Sequence, residues 1–161
     1  MGFNYGILIL PIRAVQALFS IIVLGTLAYA ADRLFDSPSE INFLIFASVW
    51  TLLALAYLIL APMKFPQFAH KFAILGVEAV TMIFWFAGFI ALADLLGDAR
   101  CSGRGGRGNG VCRSSIAGCV FAAFEWILFA ITTAVSGLHA WKNRNETTVK
   151  QDPAAEVHNP V

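Results

Sequence analysis

Charge is scarce in this sequence. Only 13% of its 161 residues are Asp, Glu, Lys or Arg, against 58% that are hydrophobic. A soluble domain of this length has too little interior to hide so much apolar surface, so that composition excludes an ordinary soluble globule and points to lipid. A basic excess is missing too. With a formal net charge of +1, the chain has no broad cationic face for nucleic acid. Cysteine and histidine are few and scattered. Cys101 and Cys112 are too far apart for the C-x-x-C of a thiol oxidoreductase, and His70, His139 and His158 form no metal-ligand pattern with them. There is no phosphate-binding glycine motif followed by Lys-Ser/Thr and no nucleophile elbow. No enzymatic activity, metal or cofactor is therefore expected.

What the sequence does have is long apolar runs, at 7–31, 41–61, 72–96 and 116–141. About 20 residues at roughly 1.5 Å each cross a hydrocarbon core about 30 Å thick, so each run is long enough to span. None carries the sustained alternation of a barrel strand, which leaves helices as the backbone solution in lipid. "AYAA" at 28–31 resembles a signal-peptide cleavage site, but no basic side chain precedes the first run and Arg13 lies within it, so a span is the better reading. The expected fold is all-α: an integral membrane four-helix bundle over 1–141, followed by a polar, disordered cytosolic tail over 142–161.

The connections between runs are short, and Pro38, Pro62 and Pro66 suit helix ends and turns. Four spans place both termini and the 62–71 turn on one side of the membrane. Basic residues do not orient the chain, since Lys64, Lys71, Lys142, Arg144 and Lys150 face Arg33, Arg100, Arg104, Arg107 and Arg113 across the bilayer. The cysteines break the tie. Cys101 and Cys112 bracket "SGRGGRGNGV", which looks by itself like an Arg/Gly nucleic-acid segment but, in a chain with no basic excess, reads better as a solvated loop, and no nucleic-acid partner is expected. In an oxidising compartment such a pair closes into a disulfide, which makes the segment an external loop and the termini cytosolic. The "NET" sequon at Asn145 argues weakly for the opposite orientation. Cys119, inside the fourth run, reads as a small packing residue.

Few polar groups interrupt the spans. An ionisable side chain at the bilayer centre costs about 2.5–3.5 kcal/mol on insertion scales, so each needs a partner or a purpose. Arg13 and Gln16 share one face of the first helix, and Glu78 lies at a similar depth in the third. An Arg13–Glu78 pair with Gln16 beside it would fix helix register; the alternative is an ion or proton relay. Glu125, among Phe121, Phe124, Trp126 and Phe129, is either held neutral or bonded to a hydroxyl of a neighbouring helix. Asp94 is placed at the interface. Trp50, Trp141 and Tyr29 read as interfacial anchors, and Gly118 and Ala122, four apart, read as a site of close helix approach.

Taken in order, "IRAVQALFSIIVLG", "EAVTMIFWFAGFIALA", the loop cysteine pair and "FAAFEWILFAITT" resemble the MARVEL (membrane-associating) domain family over about 11–141, and in particular its small four-span fungal proteins, relatives of the non-classical export protein. Arg13, Gln16, Glu78 and the Glu125–Trp126 pair match the polar positions of that pattern. The resemblance implies cytosolic termini, residence in plasma-membrane microdomains or secretory vesicles, and a role in lateral organisation, trafficking or membrane apposition. The partners it implies are membrane lipids, including sterol- or sphingolipid-rich domains, together with other copies of the chain or other membrane proteins. A small transporter or channel subunit using Glu78 and Glu125 is the alternative function.

Overall fold

The computed structural model describes residues 5–64, 71–98, 101 and 110–150. It contains four helices: α1 (Tyr5–Arg33), α2 (Ser39–Lys64), α3 (Lys71–Asp98) and α4 (Gly110–Lys150). Each packs on two neighbours in the ring α1, α2, α3, α4 and back to α1, whereas the backbones of the diagonal pairs α1/α3 and α2/α4 do not meet among the described residues. α1 begins, α2 finishes, α3 begins and α4 finishes at one end, here the tail end; the opposite end carries the cysteines.

Local chemistry explains several boundaries. Pro38 precedes α2 and its carbonyl accepts from the Asn42 amide, while Ser37 and Asn42 bond through their side chains at 2.9 Å. Arg33 lies in the last turn of α1, where a cation meets the negative end of the helix dipole, and stacks over Tyr29 at 5.3 Å. Between α3 and α4 the Cys101 amide donates to the Leu96 carbonyl, and Cys101 is disulfide-bonded to Cys112 with Cα atoms 5.4 Å apart.

All four helices contain stretches long and apolar enough to cross a membrane: Ile9–Arg33, Ser39–Ala61, Phe72–Asp98 and Gly110–Lys142. The radial order of side chains agrees with immersion in lipid. Large apolar residues such as Leu18, Ile21, Leu53, Ile83 and Ile131 are exposed, while Arg13, Gln16, Ser20, Glu78 and Glu125 are buried. A helix apolar on all sides has this arrangement when hydrocarbon, not water, surrounds it. The axis is filled by Val23, Leu27, Leu44, Trp85, Leu92 and Phe129. Gly118 and Ala122 bring α4 against α1: a Cβ on Gly118 would lie 2.8 Å from Leu27 Cδ2. Gly88 plays the same part between α3 and α2, against Leu44.

Several sequence expectations need adjusting. α4 begins at Gly110, not 116, because "GVCRSS" is polar but helix-compatible and is tied down by the disulfide. α4 also continues past 141, so 142–150 are helical where a disordered tail was expected. Lys142, Arg144 and Glu146 favour helix, and no Gly or Pro occurs before Pro153. α2 runs through Pro62 and stops within one turn of it. The Arg/Gly stretch 102–109, residues 99–100, the 65–70 turn with His70 and Pro66, and 151–161 with His158 lie outside the described residues.

Candidate functional site

Arg13, Gln16 and Ser20 follow one another at helical spacings of three and four, so α1 presents them as one stripe toward the bundle axis. Arg13 Nη2 donates to Glu78 Oε1 across the α1/α3 diagonal, and Nη1 donates to Gln16 Oε1 at 3.1 Å. The three side chains are 4%, 0% and 0% exposed for Arg13, Gln16 and Glu78, so lipid and water are both excluded from the pair. The long arginine side chain spans a diagonal that the backbones leave open. Its guanidinium offers separate donors to the carboxylate and the amide at once.

One turn further along α1, Ser20 Oγ donates to Glu125 Oε1 at 2.8 Å. Glu125 is fully buried and close to the midpoint of the Gly110–Lys142 span. Of the two options its sequence left open, the structure supplies the hydroxyl partner. Phe19 packs on Phe121 and Phe124 beside it, and Phe129 fills the axis.

Two indole bonds tie α2 to α3. Trp85 Nε1 donates to Thr51 Oγ1 at 2.9 Å, and Trp50 Nε1 donates to Thr81 Oγ1 at 3.1 Å. Each threonine in turn donates to its own helix, Thr51 to the Ala47 carbonyl and Thr81 to that of Val77, so both hydroxyls act as donor and acceptor. Trp50 therefore works inside the bundle and is not the interfacial anchor its residue type suggested. Trp141, 72% exposed near the tail end, remains free for such a role, as does Tyr29. The run at 84–86 divides its labour. Trp85 enters the axis, Phe84 packs against Phe43, Phe46 and Trp50, and Phe86 packs against Phe89 and Trp126.

Sequence reasoning identified Arg13, Gln16, Glu78, Glu125, Cys101 and Cys112, and the structure joins Arg13 to Gln16 and Glu78 and Cys101 to Cys112. It keeps Glu125 one turn away, on Ser20. Ser20, Thr51 and Thr81 were missed, since single hydroxyls are common in apolar helices and carry no signal without their partners. Gln16 Nε2, Glu78 Oε2 and Glu125 Oε2 have no hydrogen-bond partner among the described residues. Among those residues no group of three His, Cys, Asp or Glu is placed to hold a metal ion.

Four apolar helices in a ring, closed by an intramembrane Arg–Glu pair, are the frame on which residues 6–135 match the family model for the MARVEL membrane-associating domain. The chain belongs to the MARVEL family. It is a multi-pass membrane protein, and the matched range contains the whole polar stripe, both cysteines and the Ser20–Glu125 bond. A comparison with curated proteins returns no match.

Proposed function

We propose that this MARVEL protein is a non-enzymatic organiser of its lipid surroundings, serving microdomain assembly or vesicle trafficking and membrane apposition. The observation that supports this reading most is the division between inside and outside. Interior polar groups are spent on cross-links within the chain, and the axis between them is filled by Trp85, Phe129, Leu27, Leu44 and Leu92. Among the described residues, the bundle presents a broad apolar surface to its surroundings. Its partners would be lipids, including sterol- or sphingolipid-rich domains, and other copies of the chain or other membrane proteins. Residence in the plasma membrane or secretory vesicles fits this role.

We place the termini in the cytosol because the Cys101–Cys112 bond favours an oxidising compartment for its end of the bundle. Labelling with a membrane-impermeant maleimide after mild reduction tests this orientation: modification of Cys101 and Cys112 is expected at the surface of intact cells or, for protein in vesicles, only once vesicle membranes are opened, and labelling on permeabilising the plasma membrane alone would reverse it. The organiser role is tested by imaging and photobleaching of the protein tagged at its C-terminus and expressed at native level. Slowly exchanging patches that disperse on sterol or sphingolipid depletion are expected, and an even, freely mobile distribution would refute the role.

A transporter or channel subunit is the second reading, favoured by the Glu78 and Glu125 oxygens and the Gln16 amide nitrogen that find no hydrogen-bond partner among the described residues. A proton- or ion-dependent flux lost in Glu125→Gln at unchanged protein level would raise it above the first.

A further inference from the structure

Three buried polar atoms from three helices lie at one level of the bundle and find no hydrogen-bond partner among the described residues: Gln16 Nε2 on α1, Glu78 Oε2 on α3 and Thr133 Oγ1 on α4. Arg13 brings the first two side by side, since its guanidinium gives Nη1 to Gln16 Oε1 and Nη2 to Glu78 Oε1. Thr133 joins them through the register of α4 against the antiparallel α3. Gly137 stands against Leu75, and Trp126 beside Phe86 keeps the same register eleven residues further along each helix. Inward from the Gly137–Leu75 contact, four residues along α4 is Thr133 and three along α3 is Glu78, at rises of about 6 and 4.5 Å. A further such atom, Glu125 Oε2, sits eight residues along α4 from Thr133, about 12 Å deeper.

The chemistry of the three atoms decides what can sit among them. Arg13 and Glu78 cancel each other's charge, so this level has no net charge to attract an ion. A cation would face the N–H groups of Gln16, and an anion would face the second carboxylate oxygen of Glu78. Water suits all three, because it both accepts and donates. It can accept from Gln16 Nε2 and Thr133 Oγ1 and donate to Glu78 Oε2, the three bonds typical of a buried water. Without it each group would bear its desolvation uncompensated.

Access lies on the tail side. A cleft of about 480 Å³ is lined by Phe72 and Leu75 on α3 and by Gly137, Ala140, Trp141 and Arg144 on α4. It straddles the membrane boundary, because the α3 span starts at Phe72 and the α4 span ends at Lys142. Its inner end is the Gly137–Leu75 contact, one turn short of the polar level. A Cβ on Gly137 would meet only Leu75 Cδ1 among the described residues, at 3.8 Å, so the passage is bounded by one leucine and a residue without a side chain. On the far side Phe129, four residues beyond Thr133, fills the axis and closes the level.

We propose that Gln16, Glu78 and Thr133 hold an internal water molecule, which enters and leaves through the tail-end cleft past Leu75 and Gly137. This water ties α4 to the Arg13 bridge, which by itself joins α1 and α3, so that three helices share one polar level. The site stands on packing within the chain and does not rest on the organiser reading.

The test is proton-detected solid-state NMR of the full chain in bilayers of chain-deuterated lipid, with nitrogen-15 in the side-chain amides of its glutamines, Gln16, Gln67 and Gln151. The Gln16 signal is the one missing in Gln16→Met. Magnetisation transfer from the water resonance to the Gln16 amide protons is expected, although this side chain is 0% exposed. Absence of that transfer would overturn the proposal. Thr133→Val leaves the water two of its three partners and should weaken the transfer several-fold. An unchanged signal would remove Thr133 from the site, and complete loss would assign the signal to the Thr133 hydroxyl itself; each result refutes the three-partner site. Gly137→Leu, which narrows the passage, should slow the build-up several-fold, and Leu75→Ala, which widens it, should speed it. A build-up that neither variant changes would overturn the route through the cleft.

Discussion

Replacing Glu78 with methionine leaves Arg13 inside the bundle with its carboxylate partner gone. Arg13 is 4% exposed, and the α1 and α3 backbones do not meet among the described residues, so the cross-bundle tie to α3 through Glu78 is lost with the carboxylate. Breaking a buried ion pair from one side costs about 3–5 kcal/mol, similar to the cost of about 2.5–3.5 kcal/mol for an unpaired charge at mid-membrane. At about 2–4 °C per kcal/mol for a chain of this length, the melting temperature in detergent should fall by roughly 6–20 °C. Arg13→Met should lose a comparable amount, because Glu78 is then the stranded charge and Gln16 Oε1 loses its donor. The double variant Arg13→Met/Glu78→Met removes both charges, and apolar replacement of a whole pair is often neutral. The Gln16 carbonyl is then left wanting, a loss of about 1–2 kcal/mol. Thermal unfolding followed by size-exclusion fluorescence, with surface delivery of tagged protein as the cellular readout, completes the cycle. The double variant should be more stable than either single variant. If its loss equals the sum of the two, or if both single variants melt and reach the surface normally, the diagonal pair does not hold the bundle together.

The other expectations concern packing, indole bonds and the covalent link. Gly118→Ala should cost about 1–3 kcal/mol in melting assays, since its new Cβ would press on Leu27 Cδ2 at 2.8 Å; Gly25→Ala, with nothing within 4 Å, should be neutral or stabilising by up to about 1 kcal/mol. Trp85→Phe should lower stability by about 1–3 kcal/mol, because Thr51 loses the donor at its oxygen and the axis loses volume; an unchanged melting point would remove that bond from the account. Cys101→Ser/Cys112→Ser should lose roughly 2–3 kcal/mol and abolish the mobility shift on reduction, because the bond closes a loop of sequence separation 11.

The parts of this structure that were legible beforehand are those where a residue type is costly in lipid. Arg13 and Glu78 stand out in apolar runs, and counting residues from 7 and from 72, where those runs begin, puts them at similar depth without any knowledge of the fold. Depth does not reveal who neighbours whom. That α1 and α3 are diagonal, and that an arginine must reach across the bundle between them, depends on the order of helices around the axis, which hydropathy does not encode. Trp50 was misplaced for a related reason. Tryptophan prefers interfaces on average, but here Thr81 satisfies its indole N–H well inside α2, removing the cost that drives the preference. The ends of α4 escaped because an apolar run measures the bilayer and not the helix. A 41-residue helix at about 1.5 Å per residue is about 60 Å long, well beyond the hydrocarbon, and its polar turns need only helix-compatible residues.

The placement of the polar groups bears on what this fold can do. In lipid the hydrophobic effect does not draw helices together, so association depends on close packing at small residues and on hydrogen bonds between helices. Both devices are spread around this ring. Gly118 and the Ser20–Glu125 bond join α1 to α4, Gly88 and the two indole bonds join α2 to α3, and the disulfide and Cys119 join α3 to α4. Arg13 then couples the halves through the one diagonal it can reach. A bundle fastened in this way holds its shape without help from its outer surface. Side chains there, such as Leu53, Ile83 and Ile131, are released from any duty to the fold and can be matched to surrounding lipid. The Glu78 and Glu125 oxygens that lack a partner among the described residues lie on the opposite side of that division, inside the fastened core, where a change of ligand or charge would act on helix packing before it acted on the lipid-facing surface.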